Sequence, residues 1–251
     1  MQSIFNAKEK PWIGGHRGTA VYCPENTIPA FNKALEAGAD YVELDVRLSR
    51  DGIPVVIHND TIDGTTNGTG KIRDYTVEEL KRFDAGGYFA EEFKGVRIPT
   101  LEEVLVWARG KIWLSIEIKD DGDYSRDIEA LIIDCAAKHG MTDQVLIMAN
   151  DSNILKRIKE LNGSIMTCLL GSGPCEKAVM LAKQAGAEIL NIPHSFITEE
   201  LVNDAHRNKL LVHASLINDP CIWREVRKLG VDMVDTDIPD MMRETDAYHL
   251  R

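Results

Sequence analysis

Apolar and polar positions alternate between two periods along this chain. Trp12-Ile13-Gly14-Gly15 and Val145 to Met148 carry no polar side chain, and Tyr41 to Val46 and Ile112 to Ile118 are apolar apart from Glu43, Asp45, Ser115 and Glu117, as strands covered on both faces are. Between them, apolar residues recur at helical spacing, beginning with Ile28, Phe31, Leu35 and Ala37, which is the signature of an amphipathic helix. Asn26 reads as the N-cap of that first helix and Gly38 as its stop. From Pro99 the rhythm is regular. Helices are expected over 100–108, 124–139, 152–160, 174–185, 198–208, 219–229 and 239–245, and strands over 112–118, 145–148, 165–170, 188–192, 210–213 and 233–235.

One place breaks the rhythm. Arg47 to Gly52 is too short for a crossover helix, and Asp51-Gly52 is a hairpin signal, so 53–57 is expected to return antiparallel to the end of strand two. The following segment to Pro99 is rich in Gly, Thr and Asp and holds one short helix opened by Thr76-x-x-Glu79, a capping box. With the hairpin set aside as an insertion, eight strands are each eventually followed by a helix. That count predicts an α/β fold, a (β/α)8 TIM barrel with a small insertion after strand 2 at about 47–98, and a single domain over 1–251. A doubly wound sheet is the alternative, but Gly14-Gly15-His16-Arg17-Gly18 matches a dinucleotide turn only loosely.

Composition narrows the partners. The net charge of −11 argues against nucleic acid, which needs a basic surface, and disfavours anionic membranes. No apolar run is long enough to span a bilayer and the N-terminus has no signal-like apolar core, so the chain is expected to be cytoplasmic unless a leader has been removed. Cys23, Cys135, Cys168, Cys175 and Cys221 are scattered, without a Cys-x-x-Cys pair, and read as free thiols. A homodimer is left open.

The candidate chemistry centres on Val42-Glu43-Leu44-Asp45-Val46. Side chains two apart on a strand share a face, with Cα atoms roughly 6–7 Å apart, so Glu43 and Asp45 converge and repel unless a cation lies between them. A structural ion pair with Arg17 or Arg47 is the plainer reading of that strand. In a TIM barrel, however, strand C-termini meet at one mouth. His16 ends strand one, Glu117 is late in strand three with Lys119 on the same face, and the hairpin brings His58 back. Three carboxylates form a hard oxygen site suited to Mg²⁺, Ca²⁺ or Mn²⁺. Arg17 and Lys119 can donate to a phosphate, and two histidines can exchange protons near neutral pH. Together these suggest phosphoryl chemistry on a diester.

The residues also carry a resemblance. His16-Arg17-Gly18, Pro24-Glu25-Asn26-Thr27, Gly38 to Val46, Asp51-Gly52, Val55-Val56-Ile57-His58, Thr65 to Gly70, Ile98-Pro99-Thr100-Leu101, Glu117-Ile118-Lys119 and Thr236-Asp237-Ile238-Pro239 are similar, in order, to the glycerophosphodiester phosphodiesterase family. That resemblance implies a (β/α)8 barrel with a divalent metal on Glu43, Asp45 and Glu117, His16 and His58 as acid and base, and Arg17 and Lys119 on the phosphate. It also implies that the glycerol 2-hydroxyl attacks first, giving a cyclic phosphate that is then hydrolysed to glycerol 3-phosphate. Departures fall on the rim: Asn59 stands where the family usually has Asp, Gly64 where Arg is common, Ala149-Asn150-Asp151 for Ser-Phe-Asp, and Ser215 for Trp. The reaction is thereby better marked than the alcohol, and a sugar or other non-standard diester remains an alternative. So do a lyase that stops at the cyclic phosphate and, further off, a silent diester-binding barrel.

Other histidines give less. His194 reads as a loop residue, His213 is undecided at a strand end, and His139, His206 and His249 have no evident site. Asp120-Asp121-Gly122-Asp123 lacks the later ligands of a calcium loop and reads as a solvated turn.

Overall fold

In the computed structural model, residues 11–119, 127–171 and 177–247 are described. Eight parallel strands close into a barrel: β1 (Trp12–Gly15), β2 (Tyr41–Leu48), β4 (Trp113–Ile118), β5 (Val145–Ala149), β6 (Met166–Leu170), β7 (Ile189–Pro193), β8 (Leu211–Ser215) and β9 (Met233–Thr236). β1 pairs with both β2 and β9, which closes the ring. The extra strand β3 (Pro54–Val56) lies antiparallel on β2, with Val46 opposite Val56 and Arg47 opposite Val55.

The strands are mostly apolar because each faces two different cores, with exceptions such as Glu43, Asp45, Glu117 and Asp235 in β2, β4 and β9. Inward residues Trp12, Tyr41, Leu146, Met148, Cys168, Ile189 and Met233 fill the barrel. Their neighbours Ile13, Val42, Leu44, Ile116, Ile147 and Leu190 face outward against the helices, where they meet Phe31, Leu105, Ile132 and Leu155. Ile116 is fully buried in that layer, and truncating such a residue to alanine costs about 2–5 kcal/mol. Gly14 faces inward and must be glycine, because a Cβ there would stand 2.2 Å from the Tyr41 ring.

The helices are α1 (Ile28–Glu36), α2 (Val77–Leu80), α3 (Leu101–Ala108), α4 (Ile128–Lys138), α5 (Ser152–Leu161), α6 (Ala178–Ala185), α7 (Glu199–Arg207), α8 (Pro220–Lys228) and α9 (Pro239–Ala247). Capping boxes open α2 at Thr76/Glu79 and α3 at Thr100/Glu103, each satisfying two otherwise unpaired N–H groups. The expected starts of α4 at 124 and of α6 at 174 fall outside the described residues, as do the 120–123 acidic turn, Cys175 and His249. None of the described helices is long and apolar enough to cross a membrane.

The insertion has its own small core of Val55, Ile57, Ile62, Ile72, Leu80, Ala85 and Ile98. Its hairpin turns at Gly52, whose N–H donates to the Ser49 carbonyl at 3.0 Å. Asp51 accepts from Ser49 Oγ and from the N–H of Val77, so the turn also caps α2. Farther along, the Asp84 carboxylate accepts from the N–H groups of Gly86, Gly87 and Gly95. These three bonds hold its pKa down at about 2. The Ile57 N–H donates to the Asp45 carbonyl at 2.9 Å, and that bond delivers His58 to the barrel mouth.

One correction concerns the first helix. Its N-cap is Thr27, whose hydroxyl accepts from Ala30 N–H. Asn26 is not the cap. It adopts a left-handed backbone (φ 57°), which Asn tolerates better than most residues, and its side chain turns into the barrel.

Candidate active site

The strand ends bring the expected groups together. Oxygen atoms of Glu43, Asp45 and Glu117 lie within 4.8 Å of one another. Glu43 and Asp45 are 2% and 1% exposed, so their mutual repulsion is little screened by water. Register explains the grouping: Asp45 on β2 is the lateral partner of Glu117 on β4. Burial, followed by the charges of Asp45, Asp235 and Glu117, pushes the Glu43 carboxyl well above the ordinary carboxylate range. Burial opposes ionisation of Asp45 too, but Lys119, Arg17 and the Asn26 hydrogen bond outweigh it and hold Asp45 below its ordinary value. A hard divalent cation fits this all-oxygen, partly uncompensated cluster.

Two cations brace the carboxylates. Lys119 Nζ sits 2.9 Å from Asp45 Oδ1 and 2.5 Å from Glu117 Oε1. It is no solvated strand end, with a side chain only 15% exposed. Burial favours its neutral form, but the two carboxylates prevail and raise its pKa. Arg17 Nε lies 3.5 Å from Asp45 Oδ2, Nη1 bonds Glu25 at 3.0 Å, and its backbone N–H donates to Glu43 Oε2 at 2.9 Å. That backbone bond needs the left-handed turn at Arg17-Gly18. Gly18 is required there, since its φ is 89° and a Cβ would lie 2.6 Å from the Ala30 carbonyl carbon. Arg47, the other candidate partner of the pair, instead donates from Nε to the His58 carbonyl.

The two histidines are held differently. His16 Nδ1 is 2.8 Å from Asp237 Oδ1. Asp237 is fixed by Asn218, which donates from Nδ2 to Oδ2 at 2.6 Å and accepts the Asp237 N–H at 2.8 Å. His58 Nδ1 is 2.8 Å from Asn59 Oδ1, an uncharged acceptor. In both rings Nδ1 is occupied, leaving Nε2 for chemistry. His58 also lowers the pKa of Asp45, so it stands within electrostatic reach of the carboxylates.

The fold and the mouth can be compared with known proteins. The sequence profile of the glycerophosphoryl diester phosphodiesterase family matches residues 16–241, a span that includes every group just described. The chain belongs to this family. It is 36% identical over 234 residues to a glycerophosphodiester phosphodiesterase of Caldanaerobacter subterraneus subsp. tengcongensis, covering 93% of this chain and 96% of that one. It is 35% identical to a Bacillus altitudinis glycerophosphodiester phosphodiesterase, covering 91% and 95%. Among solved structures it is similar to an Oleispira antarctica phosphodiesterase in complex with its product sn-glycerol-3-phosphate, with TM-score 0.89, 29% identity and 94% and 97% coverage.

Within this phosphodiesterase family chain, several groups at the mouth lay outside the sequence-based set. Asn26 donates from Nδ2 to Asp45 Oδ2 at 2.8 Å and accepts the Asp45 N–H at 3.2 Å. Its place in Pro24-Glu25-Asn26-Thr27 was visible, but a pre-helix Asn reads first as a cap. Asp237 was visible in Thr236-Asp237-Ile238-Pro239 at the end of the last strand, although nothing local ties it to His16, 221 residues away. Tyr88 of the insertion lies beside Glu25 and Arg17, where burial and then the Glu25 charge push its hydroxyl up to about 12. His213 is fully buried inside the barrel, its Nε2 2.9 Å from Asp235 Oδ2. Tyr41 donates to the same carboxylate at 2.8 Å. His139 and His206 pair with Glu102 and Asp232, away from the mouth.

Proposed function

We propose that this chain hydrolyses glycerophosphodiesters to glycerol 3-phosphate and an alcohol, using one divalent metal ion (Mg²⁺, Ca²⁺ or Mn²⁺) on Glu43, Asp45 and Glu117. The observation that carries the reading is the convergence of three carboxylates within 4.8 Å, at the same mouth as two Nδ1-anchored histidines.

A divalent ion held by Glu43, Asp45 and Glu117 would supply charge stabilisation at oxygen near neutral pH. Asn26 and Lys119 keep the carboxylates in place for it. Arg17 and Lys119 are the donors for the phosphoryl oxygens, Arg17 as a planar fork and Lys119 as a point charge. His16, held by Asp237, takes the proton of the glycerol 2-hydroxyl at Nε2 as that oxygen attacks phosphorus. His58 gives a proton to the departing alcohol oxygen as its bond to phosphorus breaks. With the two roles exchanged, His58 deprotonates a water that opens the cyclic phosphate, and His16 returns a proton to the 2-oxygen. A carboxylate behind a histidine fixes its tautomer and orientation, which suits His16 to the first proton transfer.

The test is turnover of glycerophosphodiesters by metal-stripped protein, with and without added Mg²⁺, Ca²⁺ or Mn²⁺, read as release of glycerol 3-phosphate. Metal-restored release is expected. Accumulation of the cyclic ester alone would assign a lyase instead, and no turnover with any metal that demonstrably binds would overturn the reading.

A further inference from the structure

The wall of the mouth opposite the carboxylates holds polar side chains that the reaction above does not use. Around the closed barrel the order is β1, β2, β4, β5, β6, β7, β8, β9, so β7 faces β2 and β8 faces β4 across the lumen. On β7, Ile189 belongs to the inner core while Leu190 and Ile192 belong to the outer one. Asn191 therefore points inward. On β8, Val212 and Ala214 face outward, so Ser215 points inward by the same alternation.

Ser215 Oγ donates to Asn191 Oδ1 at 2.8 Å, which leaves the amide Nδ2 of Asn191 as the free donor. Asn191 is 4% exposed, and its Nδ2 has no partner among the described residues. His194 Nδ1, in the turn just beyond β7, is also buried without a partner among the described residues. Unused buried polar atoms are costly and uncommon. Asn191 and His194 at the mouth end of β7 therefore point to a polar ligand that completes them.

We propose that Asn191 and Ser215 form the subsite for the alcohol arm of the diester, selecting an uncharged arm that carries hydroxyl groups, such as a polyol, over a quaternary ammonium arm. The inference rests on the phosphodiesterase reading and specifies its substrate class. The dimensions suit it. Eight strands at the usual spacing and tilt put opposite Cα atoms roughly 15 Å apart, which with side chains subtracted leaves roughly the length of a phosphate and a three-carbon arm. A hydroxyl can accept from Asn191 Nδ2 and donate in turn, whereas a trimethylammonium group can do neither and leaves the amide unsatisfied. Sites built to bind a hydroxyl discriminate strongly against analogues that lack it.

The experiment measures kcat and KM of the metal-loaded full chain on glycerophosphoglycerol and glycerophosphocholine, for the wild type, Ser215→Ala and Asn191→Leu. Wild type is expected to favour the glycerol arm by about 10-fold or more in kcat/KM. Each variant is expected to lose about 10-fold on that substrate, mainly through KM, and to stay within about 3-fold on the choline diester. Ser215→Ala removes a single oxygen at a half-buried rim position, so it keeps the test decisive should Asn191→Leu fail to fold. Equal losses on both substrates, or a wild type without preference, would overturn the subsite while leaving the reaction intact. No turnover of either diester by wild type with bound metal would overturn the phosphodiesterase reading, and the subsite with it.

Discussion

Asn26 and Asp45 exchange two hydrogen bonds, side chain to carboxylate at 2.8 Å and backbone N–H to side-chain oxygen at 3.2 Å. The loop before α1 is thereby locked to the middle of β2, and one oxygen of a buried carboxylate is given a fixed direction. The left-handed backbone at Asn26 makes this reach achievable. Replacing Asn26 by alanine is expected to destabilise the protein by about 1–3 kcal/mol, the cost of leaving a buried acceptor unsatisfied, and to weaken metal binding. Denaturant unfolding and a metal titration on the same variant check both. Unchanged metal affinity would remove Asn26 from the site.

His16 and Asp237 are expected to act as one unit. Asp237→Asn keeps the shape but lets the imidazole adopt the wrong tautomer, and kcat should fall about 10²-fold or more. His16→Ala should fall by about 10²–10⁴-fold. The double variant should be no slower than His16→Ala alone, because groups acting as a unit are not additive. A multiplicative loss in the double variant would show that Asp237 works on something other than His16.

Lys119 compensates two carboxylates, so its removal should affect the metal-free and metal-bound protein differently. Lys119→Met is expected to cost about 3–5 kcal/mol without metal, as breaking a buried pair does, and part of that loss should return when Mg²⁺ is added. The measurement is Tm with and without the ion, since a ligand that binds only the folded state raises Tm. An equal Tm gain in wild type and variant would contradict the compensation.

The insertion should carry an acid-sensitive clasp. Asp84 has its pKa lowered to about 2 by the N–H groups of Gly87, Gly86 and Gly95. For a carboxyl lowered in the folded state, the contribution to stability is complete above the unfolded pKa of about 3.9 and is lost as pH falls through the folded value. The stability gap between wild type and Asp84→Ala should therefore be constant above about pH 5 and close on descending from about pH 4 to pH 2. Urea unfolding at several pH values reads it directly. A gap that widens with acid would refute the assignment.

The barrel and its hairpin were legible because their signals are local. Apolar runs of strand length, helical spacing between them, the Thr76/Glu79 box and the Asp51-Gly52 turn each depend on residues near one another in sequence. So was the carboxylate pair, because strand periodicity alone puts Glu43 and Asp45 on one face. Folding decided which separated residues met. Lys119 reads alone as a strand end, yet the β2–β4 register buries it against Asp45. Asn26 reads alone as a cap, yet a left-handed backbone turns it toward the same carboxylate. Asp237 meets His16 only because the last strand closes the barrel against the first. Ser215 and Asn191 lie across the lumen from Glu43, Asp45 and Glu117 only because β7 and β8 stand opposite β2 and β4. Period and turn chemistry act over a few residues and can be read along a chain, whereas ring closure and lateral register join positions that no local pattern connects.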